Sequence, residues 1–274
     1  MMNIPLEFIF FYLIMFIFGA VFGSFACCQA WRIHEKPKKL GSRSICMYCK
    51  TKLKWHDNIP ILSWLLLRGK CRNCKKKIGN AEILAELSLG LVFLALSIHF
   101  TSGFLYNGGL VSFLGFLAQN LVFTTSLLIL FIASIIYWIL LIYDAKWGEL
   151  PVILMISEIP LAILYQILNH GDFLQIGTSI AILAGIYYLL YFISKEKWVG
   201  GGDWILCVSI AIFLGRFELA IFELFLANTL ASVYAIPSAI LKKERKIPFG
   251  PFLILGLIIL LLFKDFILSF TFYF

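Results

Sequence analysis

The sequence predicts an all-α polytopic membrane protein of about eight transmembrane helices, with a small basic module between the first two. Three observations predict it. First, 61% of the 274 residues are hydrophobic and only 14% are charged, and the mean hydropathy is +0.94. A soluble domain does not carry that much apolar surface. Second, the apolar residues fall into runs of about 20, the length one helical crossing needs. Third, the charge is concentrated. Arg32 to Lys77 holds 14 Lys/Arg against Glu35 and Asp57, a net +12, within a chain of net +8.

In chain order, the first span covers about residues 5–30. It has no basic leader, a run too long for a signal peptide and no small-x-small cleavage site, so it reads as a retained helix. The basic block interrupts at 31–82. Further spans read as 83–102, 110–143, 151–168, 173–193, 204–217, 219–241 and 250–270. Gly103, Gly108 and Gly109 mark one short turn and "NHGD" (169–172) another. Residues 108–143 form one span plus an interfacial piece, or two spans. Charge decides between them. A single crossing puts 21 of the 23 Lys/Arg on one face, including "KKERK" (242–246), and leaves only Arg216 and Lys264 opposite. That distribution obeys the positive-inside rule and places the basic block in the cytosol. Lys264 and Asp265 make the last span the weakest. The sequence shows no internal repeat. A basic block beside a membrane points to anionic lipid and not to nucleic acid, because no stacking or groove-reading pattern accompanies it.

Four of the seven cysteines read "CMYC" (46–49) and "CRNC" (71–74). Two C-x2-C turns can place four thiolates tetrahedrally around one zinc. An all-sulfur set is closed, which marks a structural metal; an iron–sulfur cluster is the minor alternative. The cytosolic side keeps thiols reduced, which argues against disulfides. Cys27, Cys28 and Cys207 lie in spans and read as small apolar filler.

Acids at the ends of spans are the informative ones. Asp144 ends a long apolar run in "YDAKWGELP". Asp203 follows three glycines in "VGGGDW". Two crossings separate them, so they share a side. Two aspartates sharing a site cannot both ionise cheaply, so one acts as acid and the other as base, which is aspartyl-protease chemistry. Glycines at 200–202 would let a peptide backbone approach closely. The plain alternative is that Asp203 caps a helix and Asp144 is a snorkelling terminus. Glu158 and Glu223 lie deeper, without an evident partner.

In order along the chain, "GSF" (23–25) with Arg32, the two C-x2-C pairs with "NIP" (58–60), Ser63 and "LRGKCRNC" (67–74), Glu86 with Gly90, Asp144 with Leu150–Pro151, Gly200-Gly201-Gly202-Asp203, and "IPFGPFL" (247–253) resemble the type IV prepilin leader peptidases. These are membrane aspartyl proteases of the GxGD type. The resemblance implies a dyad of Asp144 and Asp203, an active-site turn of Gly200, Gly201 and Gly202, and zinc on Cys46, Cys49, Cys71 and Cys74. It divides the chain into a first span (1–30), a cytosolic zinc-binding module (31–82) and a seven-span catalytic membrane domain (83–274). It implies a bacterial plasma membrane enzyme with its active site facing the cytosol. Its substrates would be prepilins or pseudopilins of a type IV pilus or secretion system. Their short basic leaders would be cut at a Gly-Phe type junction. Many family members then methylate the new N-terminus with S-adenosylmethionine; Glu86, Arg32, Asp57 and Asn58 are the candidates for that activity. Glu86 would orient a cationic amine or sulfonium, or else pair with a module Lys or Arg.

The chain departs from the family pattern at Cys27 (usually Asn), Ala81-Glu82-Ile83 (usually Arg-Tyr-Pro), Val152 (often an acid) and in "DWIL", which lacks a Lys after Asp203. The first two bear on methylation. The alternatives are therefore a cleavage-only peptidase, or a zinc-stabilised membrane scaffold or transporter.

Overall fold

The computed structural model describes residues 6–35, 44–46, 48–106, 120–242 and 247–271. Among them every regular element is helical, and the only β pairing is two isolated bridges. Five helices are long and apolar enough to cross a membrane: α1 (Leu6–Glu35), α3 (Asn80–Tyr106), α4 (Leu121–Trp147), α6 (Phe173–Ser194) and α8 (Phe217–Lys242). Three shorter apolar helices, α5 (Val152–Leu168), α7 (Gly201–Leu214) and α9 (Gly250–Leu262), complete the expected eight. The short α2 (Leu62–Leu66) lies in the module, and α10 (Lys264–Thr271) follows α9.

Some expectations shift. The last span, expected over 250–270, breaks at Phe263, and Lys264 and Asp265 open a separate helix with a polar start. The first span runs on to Glu35, so Arg32 belongs to the last turn of α1. Gly103 lies inside α3 and marks no turn. Within 108–143, residues 121–143 belong to one helix, while 108–119 lie outside the described residues, as do 243–246 of "KKERK".

The chain forms two compact units, Met1–Phe123 and Thr124–Phe274. In the first, α1 and α3 pack antiparallel through small residues. A Cβ on Gly19 would lie 2.6 Å from the Leu89 carbonyl oxygen, and one on Gly23 would lie 2.5 Å from that of Ala85. Backbones approach this closely only where side chains are absent, the usual device for joining helices in lipid. The Tyr12 and Thr101 hydroxyls share a hydrogen bond of 2.6 Å at the far end of the pair.

In the second unit, α7 is the central helix; its residues from Ser209 to Leu214 are all buried. It packs against α5, α6 and α9, and α8 packs against α6 and α9. From α4, Tyr137 donates to the Ser209 hydroxyl at 2.9 Å and sets its ring against Phe213. Gly215 ends α7 at φ 67°, a left-handed position that glycine takes without strain. The Gln166 amide of α5 donates to the carbonyls of Ile212 and Phe213, which satisfies orphan acceptors of that helix end.

Candidate functional site

Asp144 sits in the last turn of α4 and Asp203 in the first turn of α7, both buried. Gly200 is the N-cap of α7, and Gly201 and Gly202 already belong to the helix, so the expected glycine turn is a glycine-rich first helical turn. The Gly200 amide donates to Oδ2 of Asp203 at 3.0 Å. Asp203 does take part in capping, therefore, but with one oxygen only. The Gly250 amide, at the start of α9, donates to Oδ2 of Asp144 at 2.9 Å. Each carboxylate is thus held by one backbone N–H, and the charge of Asp203 reaches Asp144.

Leu150 joins the two halves. Its side chain would meet a Cβ on Gly202 at 2.9 Å and one on Gly250 at 3.4 Å. The absence of side chains at 202 and 250 lets two helix N-termini close on the Leu-Pro turn after Asp144. N-terminal backbone amides favour nearby negative charge. The sequence singles out both aspartates and Leu150 as candidates but not the partnership of Gly250 with Asp144. "IPFGPFL" was the available signal, since Pro251 marks the first turn of a helix, whose opening amides, Gly250 among them, have no acceptor within the helix.

The four cysteines stand together in the first unit, their sulfurs all within 4.8 Å of one another. Cys46 and Cys74 sulfurs are 3.9 Å apart. A tetrahedral zinc with bonds of about 2.3 Å has sulfurs about 3.8 Å apart, so this set could hold one. Contrary to the expectation of no internal repeat, the module contains one. Cys46 N–H donates to Thr51 and Lys50 N–H to Cys46; Cys71 N–H donates to Lys76 and Lys75 N–H to Cys71. Isolated bridges join Ile45 to Lys52 and Lys70 to Lys77. Lys50 and Lys75 both adopt left-handed backbone, at φ 56° and 58°. "CMYCKTK" and "CRNCKKK" share the form C-x-x-C-K-x-K and fold as two equivalent knuckles.

The thiols differ in proton affinity. Hydrogen bonding from the Thr51 side chain and backbone lowers Cys49 to about 6. The Lys76 backbone pulls Cys74 down, but burial and the neighbouring sulfurs outweigh it and push that thiol up to about 11. Crowded thiols resist joint ionisation until a cation offsets their charge.

Asp57 lies in a 3₁₀ turn (Trp55–Asn58) and binds Arg72 at 2.7 Å. Burial alone would raise its carboxyl; Arg72 and the Lys54 amide outweigh that and hold it below the usual carboxylate range. Asp57 thus ties the first half of the module to its second knuckle. Glu86, buried on α3, accepts the Ile61 amide at 2.6 Å and bonds Ser24. Among the described residues it forms no ion pair with a module Lys or Arg. Cys27 faces the Ala81 carbonyl at 3.9 Å, so two of the departures from the family pattern touch each other. Glu158 and Glu223 are fully buried in the second unit, and their carboxylate oxygens have no hydrogen-bond partner among the described residues.

Two family models match. The bacterial peptidase A24 N-terminal domain covers residues 17–100, and the type IV leader peptidase family covers residues 128–236. A prepilin leader peptidase/N-methyltransferase of Bacillus subtilis (strain 168) is 29% identical over 259 residues, 94% of this chain and 96% of that protein. One of Dichelobacter nodosus is 31% identical over 215 residues, 77% and 67% of the two chains. One of Legionella pneumophila is 26% identical over 257 residues, 89% and 82%. No solved structure matches.

Proposed function

The chain belongs to the type IV leader peptidase family, and from that premise we propose that Asp144 and Asp203 are the catalytic dyad of a prepilin-type endopeptidase. It cuts the short basic leader from prepilins or pseudopilins at a Gly-Phe type junction, on the cytosolic side of the bacterial plasma membrane. One observation carries this reading. Two buried aspartates, 59 residues apart in sequence, each present an Oδ1 not engaged by the glycine amide that holds Oδ2.

One carboxylate takes a proton from water as its oxygen attacks the scissile carbonyl carbon. The other carboxyl gives its proton to the departing nitrogen as the C–N bond breaks. General acid–base assistance of this kind contributes about 10²–10⁴-fold. Holding Oδ2 on each side fixes the direction in which Oδ1 points, so the glycine amides supply orientation. Cys46, Cys49, Cys71 and Cys74 would hold a structural zinc, whose bonds would lock the two knuckles together.

Methylation of the new N-terminus is the second activity. S-adenosylmethionine supplies the methyl group when bound. Glu86 attracts the cationic amine or sulfonium, and its bond to Ile61 sets the carboxylate's position under the module. Asp57 supports that role indirectly, through the Arg72 pair that shapes the module, with Asn58 and Arg32 alongside as further candidates. The specific alternative is cleavage without methylation, favoured by the touching departures at Cys27 and Ala81.

Co-expression with a peptide carrying a basic leader, a Gly-Phe junction and an apolar helix tests the peptidase. Processing that is lost in Asp144→Asn and in Asp203→Asn is the expected result. Processing that persists in either variant removes that residue from the dyad.

A further inference from the structure

The module presents an apolar face that the peptidase reading does not use. Trp55 is 80% exposed, Leu66 75% and Leu62 55%, and Leu65 and Ile59 are exposed beside them. Leu62, Leu65 and Leu66 belong to α2, which is too short to be read as amphipathic from sequence. A cluster of this kind on a soluble surface marks an interaction site.

The height of α2 is fixed. The Ile61 amide, at its N-terminus, is bonded to Glu86. Glu86 lies six residues beyond Asn80, the first residue of α3, or about 9 Å along the axis at 1.5 Å per residue. Its side chain leans back toward that end. So α2 hangs beside the first two turns of α3. At the same level Leu84 of α3 is 62% exposed and Phe25 of α1 is 44% exposed, the upper edge of an apolar belt that continues down both helices through Val21, Phe18, Leu91 and Ile98. On two helices long and apolar enough to cross a membrane, such a belt is the surface suited to face lipid. Lys52 and Lys54 precede Trp55 in the chain, Arg68 and Lys70 follow α2, and all four are exposed. Apolar side chains level with the edge of an apolar belt, bordered in sequence by Lys and Arg and carrying a Trp, have the composition of an interfacial segment.

We propose that α2 and Trp55 form an interfacial anchor that inserts into the headgroup and upper acyl region of the bilayer and pins the zinc module to the membrane surface. The exposed Lys52, Lys54, Arg68 and Lys70 pair with lipid phosphates. The anchor is independent of which chemistry the enzyme performs, because it rests only on the first unit.

A photoreactive diazirine amino acid placed at Leu66 or Leu62, in the full-length protein in bacterial membranes, tests it. Phospholipid adducts are expected at both positions and none at Tyr48, which is exposed on the first knuckle. Adducts to protein alone, from this chain or a substrate, or equal lipid yield at Tyr48, overturn the proposal. A second measurement needs no photoreactive group. The fluorescence lost on Trp55→Phe is expected to be the component that brominated phospholipid quenches in proteoliposomes. A Trp55 component insensitive to brominated lipid contradicts insertion.

Discussion

The Gly250 amide donates to Oδ2 of Asp144 across 106 residues of chain, at 2.9 Å. A Cβ on residue 250 would lie 2.9 Å from that same oxygen. Any residue but proline would supply that amide, so glycine is required at 250 for the space the carboxylate occupies, which a Cβ would crowd.

Gly250→Ala is expected to displace the Asp144 carboxylate while leaving the helix start intact, since alanine suits a first helical turn. A hydrogen bond to a charged group contributes about 1.5–3 kcal/mol. Losing its geometry should slow cleavage by roughly 10–100-fold. The check is a cleavage rate on detergent-solubilised protein, with thermal unfolding alongside. An unchanged rate would mean that Gly250 does not position the carboxylate.

Removal of the metal should act on the module first. Cys46→Ser or Cys71→Ser is expected to abolish stoichiometric zinc and to expose residues 44–79 to protease. Apparent zinc binding in small peptides is about 10–16 kcal/mol and is coupled to folding. Cleavage should fall less than module stability, because Asp144 and Asp203 belong to the other compact unit. Elemental analysis that finds iron, or no metal, in the native protein contradicts the assignment.

Glu86→Gln separates charge from shape. A glutamine oxygen can still accept the Ile61 amide, so the module stays in place. The variant is expected to cleave normally and to release unmethylated product. Full methylation by this variant would leave Glu86 with the structural bond alone.

The two Asn substitutions test the dyad from the other side. Asn keeps nearly the volume of Asp and can still accept the Gly200 or Gly250 amide, so Asp144→Asn and Asp203→Asn should fold and insert normally. Each is expected to lower cleavage by at least about 10²-fold, the scale of lost acid–base assistance. Antibody detection in the membrane fraction separates this outcome from loss of protein.

Much of the candidate site is legible in the chain because its signals are local. Asp144 and Asp203 stand at the ends of apolar runs, one before Leu-Pro and the other after three glycines. The cysteine pairs carry their own spacing. The Gly250–Asp144 bond was not legible, since neither residue's neighbourhood names the other. The antiparallel fit of Gly19 and Gly23 against α3 is likewise a property of two helices together. The break at Phe263 stands beside Lys264 and Asp265, the two charges that mark the last span as the weakest in the sequence. The paired knuckles carry the pattern C-x-x-C-K-x-K, but a seven-residue repeat is too short to declare a fold without the matching backbone bonds at Cys46 and Cys71. The short α2 gave no periodic signal, and only its height beside Glu86 makes its exposed leucines meaningful.

Mass spectrometry of a substrate's mature N-terminus tests the central claim most directly. The substrate is a prepilin-like peptide co-expressed with native protein, Asp144→Asn or Asp203→Asn. The account predicts a native product beginning at Phe after loss of the basic leader, methylated at its nitrogen, and an intact leader with either variant. An intact leader in the presence of native, zinc-loaded protein, or a cut product with either Asn variant, would contradict it.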